Sequence, residues 1–294
     1  MTSGSYSKRV LSGVLVGMFG LIVVGLGGIW FTFALGLIVH LALIEYFRMT
    51  EFTGIKPATK TTLLTCQILL ITTYLGINGY IPEELANAVL PLSGAAICGW
   101  LLLQPIAGSI ADIAASIFGL FYLGFLPSYW IRLRNLPDID LILSKEFVSS
   151  NISLIENFGM IITLISCLMI VASDIGSYFF GGFFGKHPLS SISPSKTIEG
   201  AIFGVICAIA VGLISAFIIQ INHGLVMGII LGLFVGLFAI VGDLIESMMK
   251  RDAGLKDSGD ALPGHGGILD RIDSYLFTPA IVYYLIKMIA EFYN

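Results

Sequence analysis

Charge is what this sequence has least of. Only 12% of its 294 residues are Asp, Glu, Lys or Arg, while 56% are hydrophobic. Soluble domains carry about twice that share of charge. A water-soluble protein of this size could not hide so much apolar surface, and a mean hydropathy of +0.95 points the same way. Cysteine is also scarce. Cys66, Cys98, Cys167 and Cys207 each stand alone in an apolar run without C-x-x-C spacing. This excludes a disulfide framework and a thiolate metal site, and leaves small core or lipid-facing residues. No period of 20–50 residues repeats, and no low-complexity tract occurs. The N-terminus carries Lys8 and Arg9 before an apolar run, but no small-residue cleavage site leads into a soluble domain. A first transmembrane helix is therefore the better reading than a signal peptide.

Long apolar runs fill the rest. A spanning helix needs about 20 mostly apolar residues, and nine stretches qualify: 10–27, 28–48, 61–80, 85–104, 109–131, 159–180, 198–219, 224–245 and 274–291. Gly25, Gly27 and Gly28 mark the break between the first two. The expected fold class is all-α, a polytopic transmembrane helix bundle of about nine helices. We read residues 1–294 as a single integral-membrane domain, with N-terminal helices in 1–158 and the chemistry in the helices and loops of 159–294. Lys and Arg favour cytoplasmic loops. With the N-terminus inside, eleven of the fifteen fall on the cytoplasmic side, and the acidic turn Pro82-Glu83-Glu84 falls outside. Arg132, Arg134 and Lys145 in the mixed polar loop 131–158 do not fit this pattern. The net charge of −4 says little here. Position matters more, because each charge in the hydrocarbon region costs at least about 2.5 kcal/mol.

Two polar segments stand out. The first runs from Asp174 to Gly200. Asp174 lies near the end of an apolar helix, where an ionisable group is a functional candidate, the alternative being a carboxylate reaching water. Ser193-Pro194-Ser195-Lys196-Thr197 then precedes a new helix, which Ser195 or Thr197 could cap, with Glu199 in its first turn. A helix N-terminus with hydroxyls and a lysine is a phosphate cradle, or simply an ordinary cap. Gly181 to Lys186 has the wrong spacing for a Walker A loop, and no Ser or Thr follows the lysine.

The second segment, Asp243 to Asp273, holds eleven of the 34 charged residues in 31 positions. The helix before it carries Gly224, Gly228, Gly232 and Gly236, a small-residue row that lets transmembrane helices pack closely. At 100° per residue, Gly232, Gly236, Asp243, Ser247 and Lys250 fall within an arc of about 60°. The close-packed face thus continues into polar groups that point into the bundle. Pro263-Gly264-His265-Gly266-Gly267 reads as a tight turn with bare backbone. Asp270 and Asp273, three apart, share a face if helical. Carboxylates from separate elements, here Asp243 and Asp270, can converge on Mg²⁺, which takes one or two carboxylates plus substrate phosphates. Lys250, Arg251, Lys256 and Arg271 would hold phosphate oxygens. Asp112, His40 and Glu45 read as helix-dipole or polar packing residues near helix ends.

The run S-x-x-K-R-x4-K-D-x-G-x2-L-P-x-H-G-G-x2-D-R-x-D, Ser247 to Asp273, resembles the signature of the phosphatidate cytidylyltransferases, or CDP-diacylglycerol synthases. The upstream D-x-x-x-Y, G-x-x-x-G-K and S-P-x-K-T-x-E-G elements are similar to that family as well, with Ser195 where a second lysine is common. Residues 1–158 resemble it only in hydrophobicity. The resemblance implies that CTP and phosphatidate give CDP-diacylglycerol and pyrophosphate in phospholipid synthesis, at the cytoplasmic mouth of the bundle. It implies Mg²⁺, with a second metal ion or a monovalent cation left open. Asp243, Asp270 and Asp273 become metal ligands. Lys250, Arg251, Lys256, His265 and Arg271 join the catalytic set, with His265 either donating to phosphate or shaping the turn. Asp174, Ser193, Lys196, Thr197, Ser247, Asp257, Gly266 and Gly267 become substrate-binding residues. The implied setting is a multi-pass protein of the lipid bilayer, with a bacterial inner membrane favoured and an organelle membrane left open. A homodimer and no nucleic-acid partner are expected. A secondary transporter is the main rival, but its internal repeats and paired broken helices are not found. Nor does the chain carry the D-G-x2-A-R type motif of the CDP-alcohol phosphotransferases.

Overall fold

The hydropathy pattern resolves into helices throughout. The computed structural model describes residues 17–136, 157–219, 224–259 and 266–292. Among these, eight helical stretches are long and apolar enough to cross a membrane, and the protein is a multi-pass integral membrane protein. In chain order the elements are α1 (Gly17–Leu26), α2 (Gly28–Phe52), α3 (Thr59–Ile77), α4 (Glu83–Leu102), α5 (Ile110–Arg134), α6 (Phe158–Phe184), α7 (Ile198–Ile218), α8 (Gly224–Asp252), the short α9 (Leu269–Ile272) and α10 (Thr278–Phe292). α1 is the described part of the first expected span and is shorter than the other eight. It stops at Gly27, where Gly27 and Gly28 take φ of 62° and 51°, a region open to glycine and strained for other residues. The mixed loop expected at 131–158 falls, from 137 to 156, outside the described residues.

The chain divides into two compact units, and the cut is not a single point. One unit takes residues 1–131 together with 252–271, and the other takes 132–251 together with 272–294. In the first, α2, α3 and α5 close on one another through small residues and polar ties. The Tyr46 hydroxyl donates to the Ala115 carbonyl (2.9 Å), and the Gln67 amide donates to the Gly36 carbonyl (3.1 Å). Ser109 and Asp112 form a reciprocal capping box at the start of α5, and Asp112 also accepts from the Lys56 backbone N–H at 2.7 Å. α5 widens into a π-helical stretch over Leu120–Phe125.

The second unit is built on glycine contacts. A side chain at Gly204 would meet Ser173 and Ser177 of α6, and one at Gly176 would meet Cys207 of α7. Gly228 and Gly232 of α8 lie against the backbone of Gly212 and Ile209 in α7. Without a hydrophobic force between helices in lipid, such close backbone approach supplies the packing energy. Phe180 stacks on Phe203 with centroids 4.5 Å apart, closing the α6–α7 seam above the polar end.

Candidate active site

α8 carries its close-packed face past the apolar part of the helix. Beyond Gly232 and Gly236 the same face presents Asp243, Glu246, Ser247 and Lys250. Glu246 and Ser247 are buried, and Asp243 is partly exposed. Pro279 sits at the start of α10, so the chain from α9 cannot run straight into it; it passes through a 3₁₀ turn at Asp273–Tyr275. That turn brings buried Asp273 to α8. Gly242 makes the approach feasible, because a side chain there would collide with the Asp273 carbonyl. Asp243, Glu246 and Asp273 each offer a carboxylate oxygen within 4.8 Å of the others. The Ser274 N–H donates to Asp273 Oδ1 at 2.8 Å, and the Ser274 hydroxyl reaches Asp174 Oδ1 of α6 at 3.4 Å.

The segment between α6 and α7 supplies the cation. Its two arms run antiparallel at Pro188 and Thr197, with Leu189 N donating to the Lys196 carbonyl (2.7 Å) and Ile198 N to the His187 carbonyl (2.9 Å). Thr197 is the N-cap of α7, its hydroxyl accepting from Gly200 N at 3.2 Å. Buried Ser193 accepts from Lys196 N at 3.1 Å through its carbonyl. Held in this way, the Lys196 ammonium forms an ion pair with Asp243. Burial pushes the Lys196 ammonium below the ordinary lysine value, while the Asp273 and Asp174 carboxylates pull it back up. Lys250 pairs with Glu246 one turn back on α8, at 2.5 Å. The two polar segments expected from the sequence thus meet in one unit, Asp174 and Lys196 from the first and Asp243, Asp273 and Lys250 from the second. Glu246 joins them as a residue the sequence reading passes over, though it lies three residues after Asp243 on the same helical face.

Asp270, Gly266 and Gly267 belong to the other unit. There Asp270 Oδ2 accepts from Ser258 N (2.9 Å), Gly267 N (2.8 Å) and the Ser258 hydroxyl (3.0 Å). Gly266 has φ of 78°, and a side chain on it would meet Asp270 Oδ2. Buried Glu45 of α2 reaches the same loop, accepting from the Ser258 hydroxyl at 3.0 Å and from Ile268 N and Leu269 N at 2.9 Å each. This is more than packing near a helix end, and nothing local to residue 45 could have signalled it, since its partners lie over 200 residues away. Arg251, Lys256, Asp257 and Arg271 are solvent-exposed. His265 lies outside the described residues.

The donor set at Asp243, Glu246 and Asp273 consists of hard oxygens, the type that suits Mg²⁺ and not a soft metal. Four carboxylates, at Asp174, Asp243, Glu246 and Asp273, stand with two ammonium groups, at Lys196 and Lys250. That excess of negative charge is what a bound divalent cation would balance. A carboxylate cluster flanked by lysines is suited to holding phosphates through metal and ammonium together, which is the requirement of phosphoryl or nucleotidyl transfer.

The chain matches the Cytidylyltransferase family over residues 7–289. It is 42% identical to a phosphatidate cytidylyltransferase of Synechocystis sp., covering 98% of this chain and 99% of that protein. It is 35% identical to the chloroplastic phosphatidate cytidylyltransferase 4 of Arabidopsis thaliana, over 98% of this chain and 75% of the relative. A phosphatidate cytidylyltransferase of Bacillus subtilis is 30% identical, over 96% and 97% of the two chains. With nearly the whole sequence covered and the signature in place, the chain belongs to the cytidylyltransferase family.

Proposed function

We infer that this protein is an enzyme that transfers CMP from CTP to phosphatidate, giving CDP-diacylglycerol and pyrophosphate for phospholipid synthesis. The observation that carries the reading is the meeting of Lys196 with Asp243, Glu246 and Asp273, in a chain whose relatives over almost their full length bear that activity in their names. In the reaction a phosphate oxygen of phosphatidate bonds to the α-phosphorus of CTP. The bond from that phosphorus to the bridging oxygen breaks, and pyrophosphate leaves with the electron pair. Little covalent work falls to the protein, so positioning and charge stabilisation dominate. Asp243, Glu246 and Asp273 would hold Mg²⁺. When bound, Mg²⁺ neutralises phosphate repulsion and stabilises the leaving oxygens. Asp270 as a further ligand rests on the sequence signature, as do a second metal ion or a monovalent cation.

Lys196 and Lys250 are assigned to triphosphate oxygens, which compete with the carboxylates for the same ammonium groups. Arg251, Lys256 and Arg271, exposed and next to the acidic residues in sequence, are assigned to CTP and the lipid headgroup. Asp174, Ser193, Thr197, Ser247, Asp257, Gly266 and Gly267 are assigned to substrate contacts on the sequence signature, which gives His265 either a phosphate-donor role or a part in the turn. The bacterial relatives matched end to end favour a bacterial inner membrane, and a homodimer follows from family analogy alone. The test uses purified full-length protein in detergent with Mg²⁺, labelled CTP and phosphatidate. A CTP-dependent lipid product is expected. No product across several divalent ions and several phosphatidates would refute the assignment.

A further inference from the structure

Glu45 has no part in the chemistry above. It lies inside the spanning helix α2, seven residues before its end, and is only 5% exposed. An ionisable group in such a place is costly unless it serves a function. Its oxygens accept from a hydroxyl and two backbone N–H groups, all on the connector between α8 and α10: Ser258 Oγ, Ile268 N and Leu269 N. The connector is also shaped to receive it. A side chain at Gly259 or at Gly267 would run into the Glu45 carboxylate. An alanine at position 45 would therefore leave both a void and two unsatisfied amides.

We propose that Glu45 is a positioning residue for the reaction, fixing Ser258, Ile268 and Leu269 so that Asp270 presents its carboxylate in one orientation. The link is Ser258. Its hydroxyl oxygen lies 3.0 Å from Glu45 Oε2 and 3.0 Å from Asp270 Oδ2, and its single proton serves one of them at a time. The amides that hold Asp270 Oδ2, Ser258 N and Gly267 N, come from the two ends of the stretch that Glu45 ties down. Loss of the Glu45 charge frees Ile268 and Leu269 and lets Asp270 turn. A misplacement of about 1 Å in a reacting constellation costs on the order of 100-fold in rate.

This inference rests on the cytidylyltransferase reading, and two readouts separate them. In the metal-free full-length protein, hydrogen exchange at the Ile268 and Leu269 amides is expected to quicken about tenfold in Glu45→Ala. In the assay, Glu45→Ala is expected to lose roughly 30-fold or more in kcat and to need several-fold more Mg²⁺ for half-maximal rate. Glu45→Gln, which keeps one carbonyl oxygen, recovers part of both. An acid that only stabilised the fold would change the active fraction and leave the Mg²⁺ requirement alone. Wild-type exchange at residues 266–271, or wild-type kcat and Mg²⁺ dependence, overturns the proposal. If Glu45→Ala does not fold, Ser258→Ala decides: lowered kcat with unchanged KM for CTP supports it, and wild-type kinetics overturns it. If the unaltered protein makes no lipid product, the reaction assignment fails, and the exchange result still judges the anchoring.

Discussion

Asp243 and Asp273 reach each other from elements 30 residues apart in sequence, and Lys196 arrives from a third. Asp243→Asn keeps the shape of the side chain and removes its charge. It should leave the fold intact and lower kcat by about 100-fold or more, equivalent to about 2.7 kcal/mol in the barrier; steady-state kinetics with a thermal melt checks both halves. Glu246→Ala should behave differently. Glu246 is 1% exposed and paired with Lys250, whose side chain is 13% exposed, so truncation removes one side of a buried ion pair. Breaking a buried pair from one side costs about 3–5 kcal/mol, so the melting temperature should fall together with activity. The sequence makes Asp243 legible because it ends a glycine-lined apolar helix. Glu246 merges there into a run of charges, and only its spacing from Asp243 sets it apart. Glu45 has no such local mark.

At the scale of elements, the apolar runs and their order are legible, because each span keeps charge to at most two residues in some twenty. Their ends are less so. α6 runs on to Phe184 through Gly181 and Gly182, past residue 180 where hydropathy ends the span. Gly181 packs on Thr197 and Gly200. α8 continues to Asp252 because Glu246 and Lys250 pair along the helix, so its charges are compatible with helix where hydropathy alone stops at 245. The last span is interrupted by the 3₁₀ turn that delivers Asp273. Two glycine substitutions separate packing from chemistry. Gly232→Leu drives a side chain into the Ile209 backbone and should cost about 1–3 kcal/mol by overpacking, read as a lower melting temperature. Gly242→Ala pushes on the Asp273 carbonyl next to the acids, and should lower kcat by at least about tenfold with a smaller loss of stability.

For the molecule as a whole, the class of protein follows from composition, and the chemistry follows from where the few charges are gathered. Which distant segments meet does not follow, since Lys196 with Asp243, or Ser258 with Glu45, are pairings that only the folded chain makes. The lysine and arginine distribution sets an orientation that can be tested directly. With the N-terminus inside, a cysteine at exposed position 256 (Lys256→Cys) should react with a membrane-impermeant maleimide in inside-out vesicles and stay silent in right-side-out ones. A cysteine at exposed position 83 (Glu83→Cys) should show the opposite pattern. Equal labelling from both sides would refute the orientation.

The fit of the Glu45 carboxylate against Gly259 and Gly267 has an evolutionary consequence. Glu45 and Gly259 share one volume, so their substitutions should be epistatic, while Gly267 is closed by the Ser258 hydroxyl as well. A shorter residue at 45 would relieve the contact that an alanine at 259 makes with the acid, whereas alanine at 267 would still meet the Ser258 hydroxyl. In a library that randomises positions 45 and 259 under selection for phospholipid synthesis, alanine at 259 should be depleted among survivors that keep the acid, relative to survivors with a smaller residue at 45, and glycine at 267 should be kept in both sets.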